Sequence, residues 1–288
     1  MSKILITGSN GFLGSRLSKY LGRNNSITAP VHSEMDFTDI CQIGDVFQRE
    51  TPDIVIHCGA ISDVRTCEEN PELSYKINVL GTENIAKICK QYHSKMIFCS
   101  SDQIYFQKSG MDDHEESETV YPTNEYGKQK LEAENICLSL CNDAVCLRLT
   151  WMYDFLSYRK DEHQDLFRNI IMAIEKGDEI SYPVHDYRGI TYVQYVLENM
   201  EKVFSLPSGV YNFGSENDKN TYETIKIFLS FLTGKDNHIK PNAQAFFDNP
   251  RNIKMNISKI KNFNIDFPNT IQGLKECAIR YNNYQHEA

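Results

Sequence analysis

The chain has 288 residues and a formal net charge of −9 at pH 7, with a pI near 5.4. No basic stripe is evident, so the composition argues against a nucleic-acid partner. Nine scattered cysteines without CxxC spacing indicate neither a disulfide framework nor a metal site. We expect no membrane association and a cytoplasmic location, because the sequence starts directly with a strand pattern and contains no apolar run of about 18 residues.

The first elements form a strand, a glycine-rich turn and a helix. Lys3–Ile6 is a short apolar run typical of a buried strand, and Ser15–Leu21 shows helical spacing of apolar residues. Between them lies TGSNGFLG at 7–14, in the context that a dinucleotide-binding fingerprint requires. The alternative is an ordinary turn with chance glycines.

Each glycine of this turn has a separate physical purpose. Gly8 permits the tight turn, Gly11 lets backbone N–H groups approach a pyrophosphate, and Gly14 lets the helix pack closely on the strand. We therefore predict that the turn binds the cofactor, through Gly8, Asn10, Gly11, Phe12, Leu13 and Gly14.

Strands and helices then alternate as far as residue 150. Further strands are predicted at Ser26–Val31, Asp53–His57, Lys95–Cys99 and Ala144–Leu149. Helices are predicted at Ile43–Arg49, Pro71–Tyr92 and Glu125–Ser139. Short apolar strands separated by helices indicate an α/β fold, a doubly wound Rossmann domain with a parallel sheet over residues 1–150.

The pattern loosens beyond Trp151. The sequence predicts a helix at Leu166–Glu175, a loop at Tyr182–Ile190, a helix at Tyr192–Phe204, a strand at Val210–Phe213 and then a polar stretch to the end. We interpret residues 151–288 as a small carboxyl-terminal α/β substrate lobe. A segment near 190–214 is expected to return to the first domain.

Three strand ends carry residues suited to a ligand, which in such sheets binds at the carboxyl edge. The small residues after the third strand would let a cofactor lie against the backbone: Cys58, Gly59 and Ala60. Ser101 and Asp102 follow the fourth strand, and the single tryptophan, Trp151, follows the fifth. Helix capping by Ser101 and Asp102, and simple packing of Trp151, are the alternatives.

A second motif is Tyr126-Gly127-Lys128-Gln129-Lys130. Residues four apart share one face of a helix, so Lys130 would lie near the Tyr126 phenol. An ammonium there would stabilise the phenolate and lower a pKa that is ordinarily about 10. Tyr126 would then be a usable acid at neutral pH, and the Ser101 hydroxyl could orient a substrate oxygen.

Together these residues resemble the extended short-chain dehydrogenase/reductases, and within them the dTDP-4-dehydrorhamnose reductases. The likeness is carried by TGSNGFLG at 7–14, DFTD at 36–39, PDIVIHCGA at 52–60, Asn78-Val79, SSDQIY at 100–105, residues 122–130 and residues 147–153. Gln103 and Tyr105 depart from the usual Ser-Thr-Asp-Tyr-Val-Phe run, and Arg65 stands where a smaller or acidic residue is expected. These departures leave the sugar open.

The resemblance implies hydride transfer from a nicotinamide to the C4 ketone of a nucleotide sugar. On these residues it implies that Tyr126 donates the proton, that Lys130 holds the ribose and tunes Tyr126, and that Ser101 binds the carbonyl oxygen. Asn78 would support the proton relay. Its alternative role is that of a polar residue satisfied within the helix packing.

Cofactor choice depends on the end of the second strand. An acidic residue there usually binds the ribose of NAD, whereas positive charge suits the phosphate of NADP. No acid stands at the expected point, and His32 could contact a phosphate, which favours NADP with NAD as the alternative. Asp36 and Phe37 are assigned to the adenine pocket, the alternative for Asp36 being the cap of the following helix.

Two arginines of the second lobe are candidate substrate ligands, together with Asp102 and Trp151. Arg188 and Arg251 could each grip a diphosphate bidentately. The alternative for both is a solvated loop charge.

Three functions remain open on the sequence. The leading one is an NAD(P)-dependent 4-ketoreductase acting on a nucleotide sugar in deoxysugar synthesis. The second is an epimerase or dehydratase of the same fold, which would retain bound NAD. The third is a regulatory subunit that binds a nucleotide without turnover, as a related mammalian subunit of methionine adenosyltransferase is thought to do. The oligomeric state is open, with a homodimer as the candidate.

Overall fold

The fold is built around a parallel sheet of six strands. The computed structural model describes residues 1–107, 110–156, 165–235 and 239–287. The strands of these ranges are β1 (Lys3–Thr7), β2 (Ser26–Thr28), β3 (Ile54–His57), β4 (Lys95–Ser101), β5 (Ala144–Leu149), β6 (Trp151–Tyr153), β7 (Ile180–Pro183), β8 (Asp186–Tyr187), β9 (Ile190–Tyr192), β10 (Gly209–Phe213), β11 (Ile239–Asn242) and β12 (Arg251–Asn252). The order across the sheet is β10-β5-β4-β3-β1-β2.

Helices cover the sheet and connect its strands. They are α1 (Phe12–Leu21), α2 (Ile40–Glu50), α3 (Val64–Glu69), α4 (Pro71–Tyr75), α5 (Gly81–Tyr92), α6 (Glu125–Leu140), α7 (Leu166–Lys176), α8 (Val193–Val203), α9 (Thr221–Thr233), α10 (Ser258–Lys261) and α11 (Thr270–Glu287). A π-helical turn at Lys76–Leu80 joins α4 to α5, and a 3₁₀ turn at Asp102–Tyr105 follows β4. None of the described helices combines the length and apolar character that a membrane crossing requires.

The strand order creates a switch point beside β1. The chain leaves β1 toward β2 on one side and returns to β3 on the other. The carboxyl ends of β1 and β3 therefore border a crevice, the usual ligand position in such sheets. The predicted α/β fold with a doubly wound parallel sheet is confirmed, while the domain boundary at residue 150 stays a prediction. β10 pairs with β5 in parallel.

Both faces of the sheet are buried, which explains the uninterrupted apolar strands. Ile4 and Ile6 point into one core cluster, where Leu17 of α1 also lies. Leu5 points to the opposite face and packs with Phe47 of α2 and residues of α5. A strand that is covered on both faces has no polar side, so it shows a continuous apolar run rather than alternation.

Two predicted elements of the amino-terminal half differ in detail. β2 ends at Thr28 rather than Val31, because Pro30 has no N–H group with which to continue the ladder. The helix predicted at Pro71–Tyr92 is divided by the π-helical turn, which contains Asn78. Such turns are frequent at functional sites.

The prediction for the carboxyl-terminal half was wrong in two places. The predicted loop at Tyr182–Ile190 contains the last two residues of β7, all of β8 and the first residue of β9. The predicted polar stretch after Phe213 folds into α9, β11, β12, α10 and α11. β8 pairs with β12, and β7 pairs with β11, over separations of about 60 residues. These two- to four-residue strands exist through distant partners, so their local sequence shows no period.

A buried ion pair ties the sheet to α6 and to the 3₁₀ turn. The Arg148 guanidinium donates to both carboxylate oxygens of Glu134, at 3.1 and 2.8 Å. It also donates to the Tyr105 hydroxyl at 2.7 Å, and that hydroxyl donates to Asn212 Oδ1 of β10 at 2.7 Å. Both ionic side chains are almost fully buried. The network fixes the end of the turn that begins at Asp102.

Replacing Glu134 with alanine is expected to lower the free energy of unfolding by about 3–5 kcal/mol, because Arg148 would be left as an unpaired buried charge. Urea denaturation measures the effect. Glu132→Ala is the matched control on the same helix: its exposed carboxylate accepts only a solvent-exposed hydrogen bond from the Tyr75 hydroxyl among the described residues, so the loss should be about 1 kcal/mol. Equal losses in the two variants would contradict this account of the pair.

Candidate active site

The glycine turn holds three backbone segments in direct contact. Gly8 has a φ of +66°, a conformation that favours glycine, and a Cβ on it would lie 2.7 Å from the Gly59 nitrogen. A Cβ on Gly14 would lie 2.3 Å from the Gly8 carbonyl oxygen. Side chains at either position would force α1 and the end of β3 away from β1. Only glycine permits these contacts. We call the turn from Gly8 to Gly14 the cradle.

The start of α1 follows the carboxyl end of β1, which borders the crevice. The N-cap residue is Gly11, which offers no side-chain hydrogen bond to the helix. Asn10 and Gly11 are exposed, whereas Leu13 is buried in the core. With no side-chain cap among the described residues, the first-turn N–H groups and the positive end of the helix dipole suit an anion. The cradle therefore fits the pyrophosphate of a dinucleotide.

A buried arginine that the sequence analysis missed locks the first turn of α1. Arg16 donates to Asp154 Oδ2 at 2.6 Å and to the Phe12 carbonyl oxygen at 2.8 Å. Its guanidinium lies 3.9 Å from the centre of the Phe12 ring. Asp154 follows β6, 138 residues away, so no local pattern could have identified the pair. Arg16 thereby couples the cofactor cradle to the segment that carries Trp151.

The segment after β2 follows an edge strand of the sheet, next to β1. His32 is exposed. Asp36 accepts a hydrogen bond from the Thr38 nitrogen at 2.8 Å. Burial opposes ionisation of Asp36, but the Thr38 hydrogen bonds and the charge of His32 outweigh it and lower its pKa. The helix-cap alternative for Asp36 was wrong, because Asp39 caps α2.

Phe37 acts through packing. A Cβ on Gly59 would lie 2.5 Å from the Phe37 ring, and one on Gly81 would lie 2.6 Å from it. The ring also meets His57 edge-on, with 5.2 Å between ring centres. Phe37 therefore packs between α5 and the segment after β3. Its assignment to the adenine pocket stays a prediction.

A chain of hydrogen bonds runs from α5 to the crevice through His57. The Thr82 hydroxyl donates to the Asn78 carbonyl oxygen at 2.7 Å, so its oxygen accepts from His57 Nε2 at 3.0 Å. His57 Nδ1 then accepts from the Thr7 hydroxyl at 2.6 Å. The Thr7 oxygen in turn accepts from the Gly59 N–H at 3.3 Å. The neutral imidazole thus orients the segment that follows β3.

Asn78 anchors the same segment from the π-helical turn. Its amide oxygen accepts from the Ile61 nitrogen at 2.8 Å, and its amide nitrogen donates to the Ile61 carbonyl oxygen at 3.0 Å. The nitrogen also donates to Gln129 Oε1 of α6 at 2.8 Å. This geometry supports a positioning role for Asn78. The proton-relay role implied by the resemblance stays a prediction.

Lys130 is buried at the carboxyl edge of the sheet. Its ammonium donates to the Cys99 carbonyl oxygen of β4 at 2.8 Å. It lies 4.6 Å from the centre of the Phe98 ring and 5.7 Å from that of the Tyr126 ring. Burial lowers the pKa of Lys130, with the thiols of Cys99 and Cys58 acting in the opposite direction. The structure therefore brings Tyr126 and Lys130 together, as the sequence predicts.

Tyr126 stands in the first turn of α6, beside the 3₁₀ turn. Asn124 caps the helix by accepting from the Gly127 nitrogen at 2.6 Å. A Cβ on Gly127 would lie 2.5 Å from the Gln103 carbonyl oxygen, so glycine permits this close approach. The Ser101 hydroxyl accepts from the Gln103 nitrogen at 3.2 Å and donates to Asp102 Oδ1 at 3.3 Å. Ser101 is thus also a cap, as the alternative held.

The expected lowering of the Tyr126 pKa was wrong. Burial raises that pKa well above its ordinary value, and the carboxylate of Asp102 raises it further. A hydrogen bond with Ser101 acts in the opposite direction but does not prevail. The phenol therefore stays protonated at neutral pH. This is the state that a proton donor requires.

Asp102, Arg188 and Trp151 form one cluster next to Tyr126. Arg188 donates from Nη2 to Asp102 Oδ2 at 2.8 Å, and its guanidinium lies 5.2 Å from the centre of the Trp151 ring. Burial raises the Asp102 pKa, an effect that Arg188 opposes. Nε of Arg188 is buried and has no hydrogen-bond partner among the described residues. The solvated-charge alternative for Arg188 was therefore wrong.

Arg251 lies behind this cluster. It donates from Nε to Asp186 Oδ1 at 2.7 Å and from Nη2 to Asp186 Oδ2 at 2.8 Å. Its guanidinium also lies 4.3 Å from the centre of the Phe246 ring. The Nε and Nη2 groups of Arg251 are thus already paired with a carboxylate of the protein. Direct contact between Arg251 and a substrate stays a prediction.

Comparison with known proteins places the chain in a family. The family model described as the RmlD substrate binding domain matches residues 2–283. The chain belongs to this family. The predicted relationship to dTDP-4-dehydrorhamnose reductases is thereby confirmed.

Individual relatives agree with this membership. A dTDP-4-dehydrorhamnose reductase of Aggregatibacter actinomycetemcomitans is 27% identical over 240 residues, 79% of this chain and 79% of the relative. Methionine adenosyltransferase 2 subunit beta of Xenopus laevis is 25% identical over 280 residues, 91% of this chain and 83% of the relative. The crystal structure of a dTDP-4-dehydrorhamnose reductase from Bacillus anthracis in complex with NADP has a TM-score of 0.88 at 24% identity, covering 97% of this chain and 99% of that one. This structural likeness shows the fold.

The buried imidazole predicts a loss of stability in acid. Burial, aided by the nearby charge of Lys130, lowers the His57 pKa to about 3, against about 6.5 in an unfolded chain. Below pH 6.5 the unfolded chain protonates this imidazole and the folded protein does not. The free energy of unfolding is therefore unaffected by His57 above pH 6.5 and falls by about 1.4 kcal/mol per pH unit as the pH drops toward 3. In urea denaturation, His57→Asn should therefore show a shallower loss of unfolding free energy between pH 6.5 and 5. An unchanged slope would refute this assignment.

Proposed function

We propose that this chain catalyses the NADPH-dependent reduction of a 4-keto nucleotide sugar. The observation that carries the proposal is the juxtaposition of Ser101, Tyr126 and Lys130 at the sheet edge that the glycine cradle borders. Membership of a family that includes nucleotide-sugar reductases supports it.

Tyr126 is the proposed acid. Its pKa is raised by burial and by Asp102, so the phenol keeps its proton over the physiological range. A ketone oxygen gains negative charge as its carbon is reduced, and a positioned phenol can donate to it. General acid catalysis of this kind typically contributes about 10²–10⁴-fold to the rate.

Lys130 and Ser101 support the transfer. The Lys130 ammonium is held by the Cys99 carbonyl oxygen and stabilises the phenolate that remains after proton transfer. The Ser101 hydroxyl is fixed by its role as a cap and is the proposed donor that orients the ketone oxygen. The reduced nicotinamide, when bound, supplies the hydride. The residues that would hold this cofactor are those of the cradle and of the segment Cys58 to Ala60.

The cluster of Asp102, Arg188 and Trp151 is the proposed substrate contact. The free Nε of Arg188 suits an oxygen of a diphosphate, and an arginine is well matched to such groups. The Trp151 ring, half-buried beside it, suits the apolar face of a sugar. Asp102 would accept hydrogen bonds from sugar hydroxyls.

Replacing Tyr126 with phenylalanine is expected to reduce kcat by about 10²–10⁴-fold, because only the proton donor is removed. The assay follows the absorbance of NADPH with a panel of 4-keto nucleotide sugars. The binding of NADPH should change little. Tyr121→Phe is the matched control, because that tyrosine is 73% exposed, and it should retain wild-type turnover. Full activity of Tyr126→Phe would refute the assigned acid.

A regulatory subunit is the second candidate function. It is favoured by the likeness to methionine adenosyltransferase 2 subunit beta, which extends over 91% of this chain. NADPH binding without turnover of any sugar in the panel would support it. Release of tightly bound NAD on denaturation would instead support the epimerase or dehydratase alternative.

The cofactor preference is proposed to depend on His32. The exposed imidazole can donate to a 2′-phosphate, so His32→Asp should weaken NADPH binding by about tenfold, equivalent to about 1.4 kcal/mol. Fluorescence titration with NADPH and NADH measures this. NADH lacks the phosphate, so its binding should not weaken, and an acid at this point can bind its ribose. An equal change for both cofactors would argue against the proposed contact.

A further inference from the structure

Two cysteines face each other at the carboxyl edge of the sheet. Cys99 lies in β4 and Cys58 follows β3 directly, and their sulfur atoms are 3.5 Å apart. β3 and β4 are parallel, with His57 opposite Phe98, so the next position of each strand places the two thiols side by side. All nine cysteines of the chain are free thiols.

The geometry suits a disulfide. Neighbouring strands lie about 4.8 Å apart, which is within the range of about 4.4–6.8 Å between the Cα atoms of bonded cysteines. The S–S bond length is about 2.05 Å, so the two sulfurs need to approach by roughly 1.5 Å. Side-chain rotation and a small shift of the segment after β3 can supply this movement.

The surroundings favour reaction at this pair. Cys58 is partly exposed, whereas Cys99 is buried. The hydrogen bond from Cys58 lowers the pKa of the Cys99 thiol, and the Lys130 charge acts in the same direction against burial. The same contact raises the pKa of Cys58.

We propose that Cys58 and Cys99 are a modification site, an oxidisable thiol pair that a peroxide converts to a disulfide in the folded protein. One sulfur attacks the peroxide and becomes a sulfenic acid, releasing an alcohol or water. The second thiol then displaces the hydroxyl group as water and forms the S–S bond. Two thiols lose two electrons, and the peroxide gains them.

A second pair of cysteines provides an internal comparison. Cys137 and Cys146 also interact through their thiols, but both side chains are fully buried. Proximity is therefore common to both pairs, whereas of these four residues only Cys58 is partly exposed. We expect Cys137 and Cys146 to stay reduced.

The disulfide is expected to weaken cofactor binding, a consequence that rests on the proposed function. The main chain of Cys58 touches the cradle, since a Cβ on Gly8 would lie 2.8 Å from the Cys58 carbonyl carbon. The Cys99 carbonyl oxygen holds Lys130. Bringing the two sulfur atoms together therefore displaces both the Cys58 main chain, which contacts the cradle, and the Cys99 carbonyl group, which binds Lys130.

Peptide mapping tests the pair directly. The native protein is treated with hydrogen peroxide, its free thiols are alkylated, and it is digested with trypsin without reduction. Cleavage after Arg and Lys yields peptide 50–65, with Cys58 as its single cysteine, and peptide 96–108, with Cys99 as its single cysteine. The expected product is the cross-linked pair of these peptides, which dithiothreitol separates.

Variants make the result specific. Cys58→Ser and Cys99→Ser should each abolish the cross-linked product, whereas Cys41→Ser, at an exposed cysteine outside the pair, should leave it unchanged. Both peptides recovered singly alkylated, or oxidised to sulfinic acid without a cross-link, would overturn the proposal. Cys137 and Cys146 fall in one tryptic peptide, 131–148, together with Cys141, so a disulfide between them appears as a loss of two hydrogens within that peptide. Its formation at the same rate as the cross-link would overturn the role of exposure.

Titration with NADPH tests separately whether the disulfide weakens cofactor binding. The oxidised protein should bind NADPH at least tenfold more weakly than the reduced protein, with recovery after dithiothreitol. A cross-link without any change in binding would overturn the proposed consequence while leaving the thiol pair established. Failure of the reduced protein to bind NADPH at all would count against the proposed function instead.

Discussion

The site depends on a contact between backbones at the switch point of the sheet. Gly8 meets Gly59 on one side and Gly14 on the other, at distances that leave no space for a Cβ. This contact sets the position of α1, and with it the N–H groups that face the crevice. Arg16 and His57 then hold the two flanking segments in place. The chemistry of the site is possible because the cofactor cradle, α6 and the end of β4 converge at this edge.

The electrostatics of the site differ from those of a simple activated tyrosine. A lysine four residues from a tyrosine suggests a lowered phenol pKa, but the surroundings of Tyr126 are buried and include the carboxylate of Asp102. Burial acts on both partners, since it raises the Tyr126 pKa and lowers that of Lys130. Each group is therefore biased toward its neutral form. A neutral phenol is the appropriate state for donating a proton, and the lysine charge becomes most useful once the phenolate forms.

Local patterns predicted the sheet and the motifs well, because each depends on residues close in sequence. The apolar run at Lys3–Ile6, the glycine turn and the spacing of Tyr126 and Lys130 are examples. The pairing of Arg188 with Asp102 spans 86 residues, and that of Arg16 with Asp154 spans 138. A single sequence contains no signal for such pairs. His57 offered a weak signal, a polar residue that closes an apolar strand, but only the surrounding hydroxyls reveal its purpose.

Isotope transfer shows whether this edge of the sheet reduces a ketone with a nicotinamide and the Tyr126 proton. The protein is mixed with NADPH carrying deuterium at the transferable position of C4, together with the panel of 4-keto nucleotide sugars, and the products are analysed by mass spectrometry and NMR. We expect one deuterium at the former ketone carbon for each NADPH consumed, and no transfer in Tyr126→Phe on the same timescale. Deuterium that stays in the bound cofactor with every sugar of the panel would contradict this expectation.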